Sequence, residues 1–305
     1  MKPIEGVITA LVTAFDQDGG LDLPALRASV RFQVDSGAAG LCPLGGTGEP
    51  LSMTVDEHKA VIDAVVDEAA GRVPVVVGTL LGSQDDIIAC GRHARAAGAA
   101  AVMVIPPYFI IAKPAHIRRH FETIADAVDL PMVLFHGPSR SGVRLDADTI
   151  LDLVTAIPRF VAIKETSGDL VVAAELLRGA PAGFRVLQGF DELVLPTLSL
   201  GGHGAVLSLG CLVPALFRRL ADAFAAGDLA TAREIQLAIL PLCRAIYGEP
   251  NPGPLKHALA LAGRSAGPTR RPIYPSSAAT CDALARLVPP ILDAEAAARR
   301  ALAAA

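Results

Sequence analysis

The chain has 305 residues, 52% of them hydrophobic, and a formal net charge of −4. That is enough apolar material for one large core, with or without an appendage, and without a Lys/Arg run nothing marks a nucleic-acid surface. The longest uncharged stretch, 96–112, contains Gly98 and the pair Pro106-Pro107, which excludes it as a membrane-spanning helix.

At the N-terminus, Met1-Lys-Pro-Ile-Glu5 has no apolar signal core, so a soluble, cytoplasmic protein is expected. Apolar, β-branched runs then predict strands over 6–13, 40–43, 73–78, 101–105, 132–136, 160–164, 184–188 and 204–208. Amphipathic stretches between them predict helices over 23–36, 55–70, 84–97, 115–127, 147–156, 170–177, 193–200 and 213–226. Thr54 followed by Glu57 reads as a capping box, and Ser83 before Asp85 and Asp86 as a second helix start. Strands alternating with helices in this way predict an α/β chain, a (β/α)8 TIM barrel over 1–226. An open doubly wound sheet would call for a Gly-rich dinucleotide turn after the first strand, and there is none. Beyond 227 the strand signals stop, and helical patterns at 228–247, 253–261 and 276–303 predict a C-terminal helical extension over 227–305, jointed at 248–254. Cys42, Cys90, Cys211, Cys243 and Cys281 are scattered and odd in number, and are expected to be free thiols in a reducing compartment.

The run Phe160-Val-Ala-Ile-Lys164 ends on a single lysine just before a polar turn. A buried strand built this way delivers one amine to a sheet rim, where desolvation lowers its pKa. A neutral amine attacks a ketone to form an imine; the plainer alternative is a lysine that snorkels to solvent. In a barrel, chemistry collects at the C-terminal strand ends. Those ends carry Gly45-Gly-Thr-Gly-Glu49, Pro106-Pro-Tyr108, Gly137-Pro-Ser-Arg-Ser-Gly142, Gly189-Phe-Asp191 and Ser208. The Gly45–Glu49 stretch lets backbone N–H groups approach a small carboxylate, with Thr47 adding a hydroxyl, although a plain tight turn would look the same. Arg140 is a two-pronged carboxylate donor on a short loop, or else a surface arginine. His116 and His120 stand four apart, but with two arginines between them they read as a solvated helix face, and no metal is expected. His203, between Gly202 and Gly204, falls at the wrong end of its strand and reads as structural. Lys2, Lys59, Lys113 and Lys256 end no strand.

These motifs, in this order, together with Gly201-Gly-His-Gly-Ala-Val-Leu-Ser208 and Asn251-Pro-Gly-Pro-Leu-Lys256, resemble the dihydrodipicolinate synthase / N-acetylneuraminate lyase family almost end to end. The resemblance implies a barrel with a helical C-terminal extension, assembled as a homotetramer, whose lysine forms a Schiff base with pyruvate or another 2-oxo acid without a cofactor. It assigns Lys164 to that role, Thr47 and the Gly46 backbone to the 2-oxo acid carboxylate, and Arg140 to the carboxylate of a second substrate. It matches Tyr108 to a tyrosine that reaches into the neighbouring subunit's site. Gly189, Phe190 and Val206 would complete the pocket.

The chain also departs from the family pattern. Where relatives carry Tyr-Asn-x-Pro at the end of strand five, this one reads Phe135-His136-Gly137-Pro138. The relay tyrosine is thus a phenylalanine, and the hydroxyl residue expected before Thr47 is Gly46. Loss of a positioned acid/base slows such a step about 10²–10⁴-fold. Strand alternation turns His136 away from Phe135 toward the helices unless the strand end twists, so the candidates to move protons are His136 in that case, Tyr108, Thr166, or the substrate's own carboxylate with water. The expected activity is a Schiff-base lyase acting on a 2-oxo acid by aldol cleavage, condensation or dehydration. A divergent 4-hydroxy-tetrahydrodipicolinate synthase and a non-catalytic 2-oxo acid binding protein are the alternatives.

Overall fold

The computed structural model describes residues 3–110 and 112–304, so Lys2 lies outside it. The apolar runs form eight strands, β1 (Gly6–Ala10), β2 (Gly40–Cys42), β3 (Val76–Gly78), β4 (Ala101–Val104), β5 (Met132–His136), β6 (Phe160–Glu165), β7 (Arg185–Gln188) and β8 (Gly204–Leu207). They pair in parallel in the order β2-β1-β8-β7-β6-β5-β4-β3. The two edges also meet: Leu41 bridges Val75, and the Gly78 N–H donates to the Pro43 carbonyl at 2.9 Å. The result is a nearly closed (β/α)8 barrel, with parallel strands buried on both faces as such sheets require.

Helices α1 (Leu23–Asp35), α2 (Val55–Ala69), α3 (Gln84–Ala97) and α4 (Pro114–Val128) follow the first four strands. After β5 come a single turn, α5 (Pro138–Ser141), and then α6 (Ala147–Ala156); α7 (Leu170–Gly179), α8 (Val194–Ser199) and α9 (Pro214–Ala225) complete the ring. The C-terminal part is helical, α10 (Leu229–Tyr247), α11 (Gly253–Leu261) and α12 (Ala278–Ala303). The Thr54–Glu57 capping box forms, and Ser83 caps α3.

Alternation along the strands sorts side chains into two packed layers. Ile8, Cys42, Met103, Val133, Phe135 and Leu187 fill the barrel interior. Their neighbours Val7, Leu41, Val102, Leu134 and Val186 face outward onto Leu26, Val61, Phe121 and Phe217 of the helices. Each fully buried side chain of this size contributes about 1.5–3 kcal/mol through burial. Phe121 meets Phe160 edge-on with centroids 5.2 Å apart.

Two local expectations need correction. Strand β1 stops at Ala10 and does not run on to 13, because the chain turns outward there and the Thr13 hydroxyl donates to the Gly48 carbonyl at 2.7 Å. The predicted loop around Arg140 contains the helical turn α5, with Pro138 at its first position and Gly142 ending it at φ 71°.

The C-terminal helices are tied to the barrel by buried polar contacts. Glu295 of α12 accepts the Ala215 and Leu216 N–H groups at 3.1 and 2.8 Å, capping α9 from a distance. Lys256 of α11 pairs with Glu49 at 2.8 Å beneath the Gly45–Glu49 turn. Arg270 forms an ion pair with Glu57 at 2.6 Å and stacks 4.2 Å from the Phe15 ring.

Candidate active site

Strand β6 turns Ala162 and Lys164 into the barrel and Ile163 and Glu165 away from it. Lys164 is the register partner of Phe135 on β5, and its Nζ lies 4.8 Å from the centre of that ring. It is 6% exposed. Among the described residues its side-chain amine makes no hydrogen bond or ion pair. Burial lowers its pKa; Cys42 and Asp191 pull the other way, and Arg140 adds to the lowering. An unpaired, desolvated amine of this kind gives up its proton more readily than a solvated lysine.

His136 points away from the site, as alternation requires. Its Nε2 accepts the Leu145 N–H at 3.1 Å, which puts the ring proton on Nδ1, and Nδ1 donates to Glu165 Oε2 at 2.6 Å. The imidazole is fully buried behind the strand and is not part of the recess lining.

Lys164 stands at the edge of a recess of about 80 Å³ that also meets Gly46, Thr47, Phe135, Ser139, Arg140, Thr166, Gly189, Phe190, Ser208, Tyr247 and Asn251. The recess shares Gly46, Phe135, Ser139, Arg140 and Asn251 with an outer cleft of about 340 Å³, where Tyr108, Leu80 and Ile273 lie. Of the residues singled out in the sequence, Lys164, Gly46, Thr47, Phe135, Arg140, Thr166 and Gly189 thus meet at one recess. Tyr108 lines only the outer cleft and a neighbouring cavity, its hydroxyl donating to the Leu80 carbonyl at 3.4 Å. Val206 packs in the barrel interior with Phe135 and is not part of the recess lining.

On the wall formed by β2 and β8, Thr47 Oγ1 lies 2.6 Å from Ser208 Oγ and accepts from Asn251 Nδ2 at 3.1 Å. The N–H groups of Gly46 and Thr47 donate to nothing among the described residues. Asn251 Oδ1 and Thr166 Oγ1 are buried without partners. Buried polar atoms are normally satisfied, so these mark places for a ligand's polar groups. Gly189 keeps the floor open: a Cβ there would lie 2.0 Å from Thr166 Oγ1 and 3.0 Å from Lys164 Cε. At Gly46, by contrast, a Cβ would meet nothing within 4 Å. The missing side chain is therefore open pocket volume and not a steric requirement of the turn. Arg140 is exposed, its N–H donates to the Gly137 carbonyl at 2.9 Å, and its guanidinium makes no ion pair or hydrogen bond among the described residues at the mouth of the outer cleft.

Sequence reasoning names Asn251 only within the Asn251–Lys256 motif, with no place at the recess, and misses Tyr247 and the position of Asp191 beneath it. Tyr247 ends α10 and donates its hydroxyl to Asp191 Oδ2, while Asp191 Oδ1 accepts the Leu209 N–H at 3.1 Å. Burial pushes the Asp191 carboxyl up to about 7. Burial beside that carboxyl raises the Tyr247 phenol well above its usual range, with Ser208 pulling the other way. The sequence held one signal, the polar joint 248–254 between two apolar helices, but nothing there said which strand end it would cover.

The dihydrodipicolinate synthetase family model matches residues 3–290. A 4-hydroxy-tetrahydrodipicolinate synthase of Methanosarcina barkeri is 38% identical over 274 residues, covering 90% of this chain and 93% of its own. The crystal structure of dihydrodipicolinate synthase from Aquifex aeolicus superposes with a TM-score of 0.90 at 31% identity, covering 93% of this chain and 97% of its own. A prophage protein of E. coli K12 from the same family, solved in complex with pyruvate, has a TM-score of 0.90 at 29% identity, covering 95% of this chain and 99% of its own. The chain belongs to the dihydrodipicolinate synthetase family and is an enzyme of its Schiff-base lyase class.

Proposed function

We propose that Lys164 forms a Schiff base with pyruvate or a closely related 2-oxo acid, and that the enzyme makes or breaks a bond adjacent to that imine. The observation that carries this reading is the unpaired Lys164 amine, 6% exposed, at the edge of a polar recess of about 80 Å³. A volume of that size suits a three-carbon acid. The free N–H groups of Gly46 and Thr47, with the Thr47 hydroxyl, hold its carboxylate. Once the imine is protonated it draws electrons from the adjacent carbon, so a carbanion can form there and attack, or be released by, an aldehyde partner. Phe135 keeps that side of the recess apolar, and Arg140 at its mouth receives an acidic distal group. The pyruvate complex of the E. coli K12 relative supports the choice of ligand.

A second reading is the reaction of the synthases to which the chain is similar, with pyruvate and aspartate semialdehyde as substrates. The unpaired Arg140 favours it, because the second substrate brings a carboxylate.

The assembly in this reading is a cytoplasmic homotetramer. Phe109 and Ile110, directly after Tyr108, are exposed apolar side chains that a second copy would cover. The free cysteines fit a reducing compartment, and among the described residues no helix is long and apolar enough to cross a membrane.

The test is borohydride reduction in the presence of pyruvate, read by intact mass and peptide mapping. The expected result is one reduced adduct on the peptide carrying Lys164, absent in Lys164→Met. No adduct with pyruvate or larger 2-oxo acids would overturn the imine. An adduct without turnover of any aldehyde partner would leave a binding protein. Turnover of pyruvate with aspartate semialdehyde would select the second reading.

A further inference from the structure

Schiff-base formation consumes a proton at the departing oxygen, and Phe135 has none to give. This inference rests on the Schiff-base reading. Five hydroxyls line the recess: Thr47, Ser139, Thr166, Ser208 and Tyr247, of which Ser139 is exposed at its mouth. Thr47 and Ser208 hold each other at 2.6 Å, and Thr166 has no partner. Tyr247 differs from the other four, because its hydroxyl rests on a carboxyl group, that of Asp191.

We propose that Tyr247, seated on Asp191, is the acid–base group of the Lys164 site and takes the place of a hydroxyl at position 135. Tyr247 is the catalytic residue, since it lines the recess, while the fully buried Asp191 acts through it as a positioning and proton-supplying group. Leu209 N–H donates to one carboxyl oxygen, the other shares a proton with the Tyr247 hydroxyl, and Gln236 Nε2 fixes the residue by donating to the Asp191 backbone carbonyl at 3.1 Å.

The Lys164 nitrogen lone pair forms a C–N bond to the ketone carbon, and the carbonyl π pair moves to oxygen. That oxygen takes one proton from the attacking nitrogen and one from the Tyr247 phenol, and it leaves as water when the nitrogen lone pair closes the C=N bond. Asp191 returns a proton to the phenolate. The products are a cationic imine on Lys164, an Asp191 carboxylate and one water. A cation and an anion thus arise together in a site where Lys164 and Asp191 already feel each other's charge. The Asp191 carboxyl, held up to about 7 by burial, has a proton to supply near neutral pH. The other titratable groups facing it are Glu192 beside it, Tyr247 and Cys243 on α10, Cys211 after β8 and Lys164 on β6.

The test times borohydride-trapped pyruvate adduct formation in the full-length wild type, Tyr247→Phe, Asp191→Asn and the double variant Tyr247→Phe/Phe135→Tyr. Tyr247→Phe is expected to form the Lys164 adduct about 100-fold more slowly, with an unchanged circular dichroism spectrum and partial recovery in the double variant. Asp191→Asn is expected to be slow and to lose the wild-type fall in rate above neutral pH. Labelling of Tyr247→Phe at the wild-type rate overturns the relay and leaves the Schiff base standing. A slow Asp191→Asn that keeps the wild-type pH profile reduces Asp191 to packing and overturns its share. A wild type that takes no label overturns both.

Discussion

Lys164 and Phe135 face each other across β6 and β5, with the lysine nitrogen 4.8 Å from the ring centre. A ring face attracts a cation, yet the same ring walls off water, and for a residue 6% exposed desolvation wins. Lys164 acylation by a small amine-directed reagent, followed by mass spectrometry across pH, is therefore expected to show a midpoint below the roughly 10.4 of a free lysine. A midpoint at or above that value would mean the amine is solvated and the burial argument is wrong.

Two glycines of the recess differ in what they exclude. A Cβ at Gly189 would sit 2.0 Å from Thr166 Oγ1 and 3.0 Å from Lys164 Cε. Gly189→Ala must shift the lysine, so adduct formation should fall by about 10²-fold, with a stability loss of about 1–3 kcal/mol from overpacking. Timed pyruvate trapping and urea unfolding measure the two effects separately. Wild-type trapping by Gly189→Ala would show that the Lys164 position tolerates the displacement.

At Gly46 a Cβ would meet nothing within 4 Å. Gly46→Ser should therefore change stability by no more than about 0.5 kcal/mol. Because it fills space shared by the recess and the outer cleft, it should raise KM for branched or longer 2-oxo acids more than for pyruvate. Equal KM changes across a series of 2-oxo acids of increasing length would contradict that use of the space.

The barrel was legible because its signal is periodic. Alternating apolar runs and amphipathic stretches predict the eight strands and their order, and Lys164 follows from being the one lysine at a strand end. The face of His136 was legible too, since alternation alone turns it behind the strand. Asn251 and Tyr247 were not, because they reach the recess from the C-terminal helices across more than 80 residues from Lys164. That contact is set by how α10 and α11 pack on the barrel, and no local pattern encodes it. The α5 turn escapes the sequence for a smaller reason: a single helical turn has no apolar periodicity to detect.

The Glu49–Lys256 pair joins the recess turn to α11 and is almost wholly buried, at 0% and 4% side-chain exposure. Glu49 also accepts the Arg270 N–H at 2.8 Å, and its backbone is left-handed at φ 54°. Lys256→Met would leave a buried carboxylate without its cation, at a cost of about 3–5 kcal/mol. Chemical denaturation measures this. The double variant Glu49→Gln/Lys256→Met should recover part of the loss, because neither charge is then buried alone. A single variant as stable as wild type would mean the pair does not hold the turn.

Asp191 supplies a stability signature independent of catalysis. Its carboxyl rises from about 3.9 in an unfolded chain to about 7 when buried in the fold. Between those values the folded protein holds a proton that the unfolded chain has lost. Stability from this group is therefore full below pH ~4 and falls as pH rises toward the folded pKa, by about 1.4 kcal/mol per pH unit. Asp191→Asn has no proton to lose, so the stability difference between wild type and variant should move against the wild type as pH rises from 5 to about 7 and level off above it. Urea unfolding of both proteins at matched pH values measures that difference. A difference constant with pH would show that the Tyr247 and Leu209 hydrogen bonds outweigh burial and keep Asp191 ionised throughout.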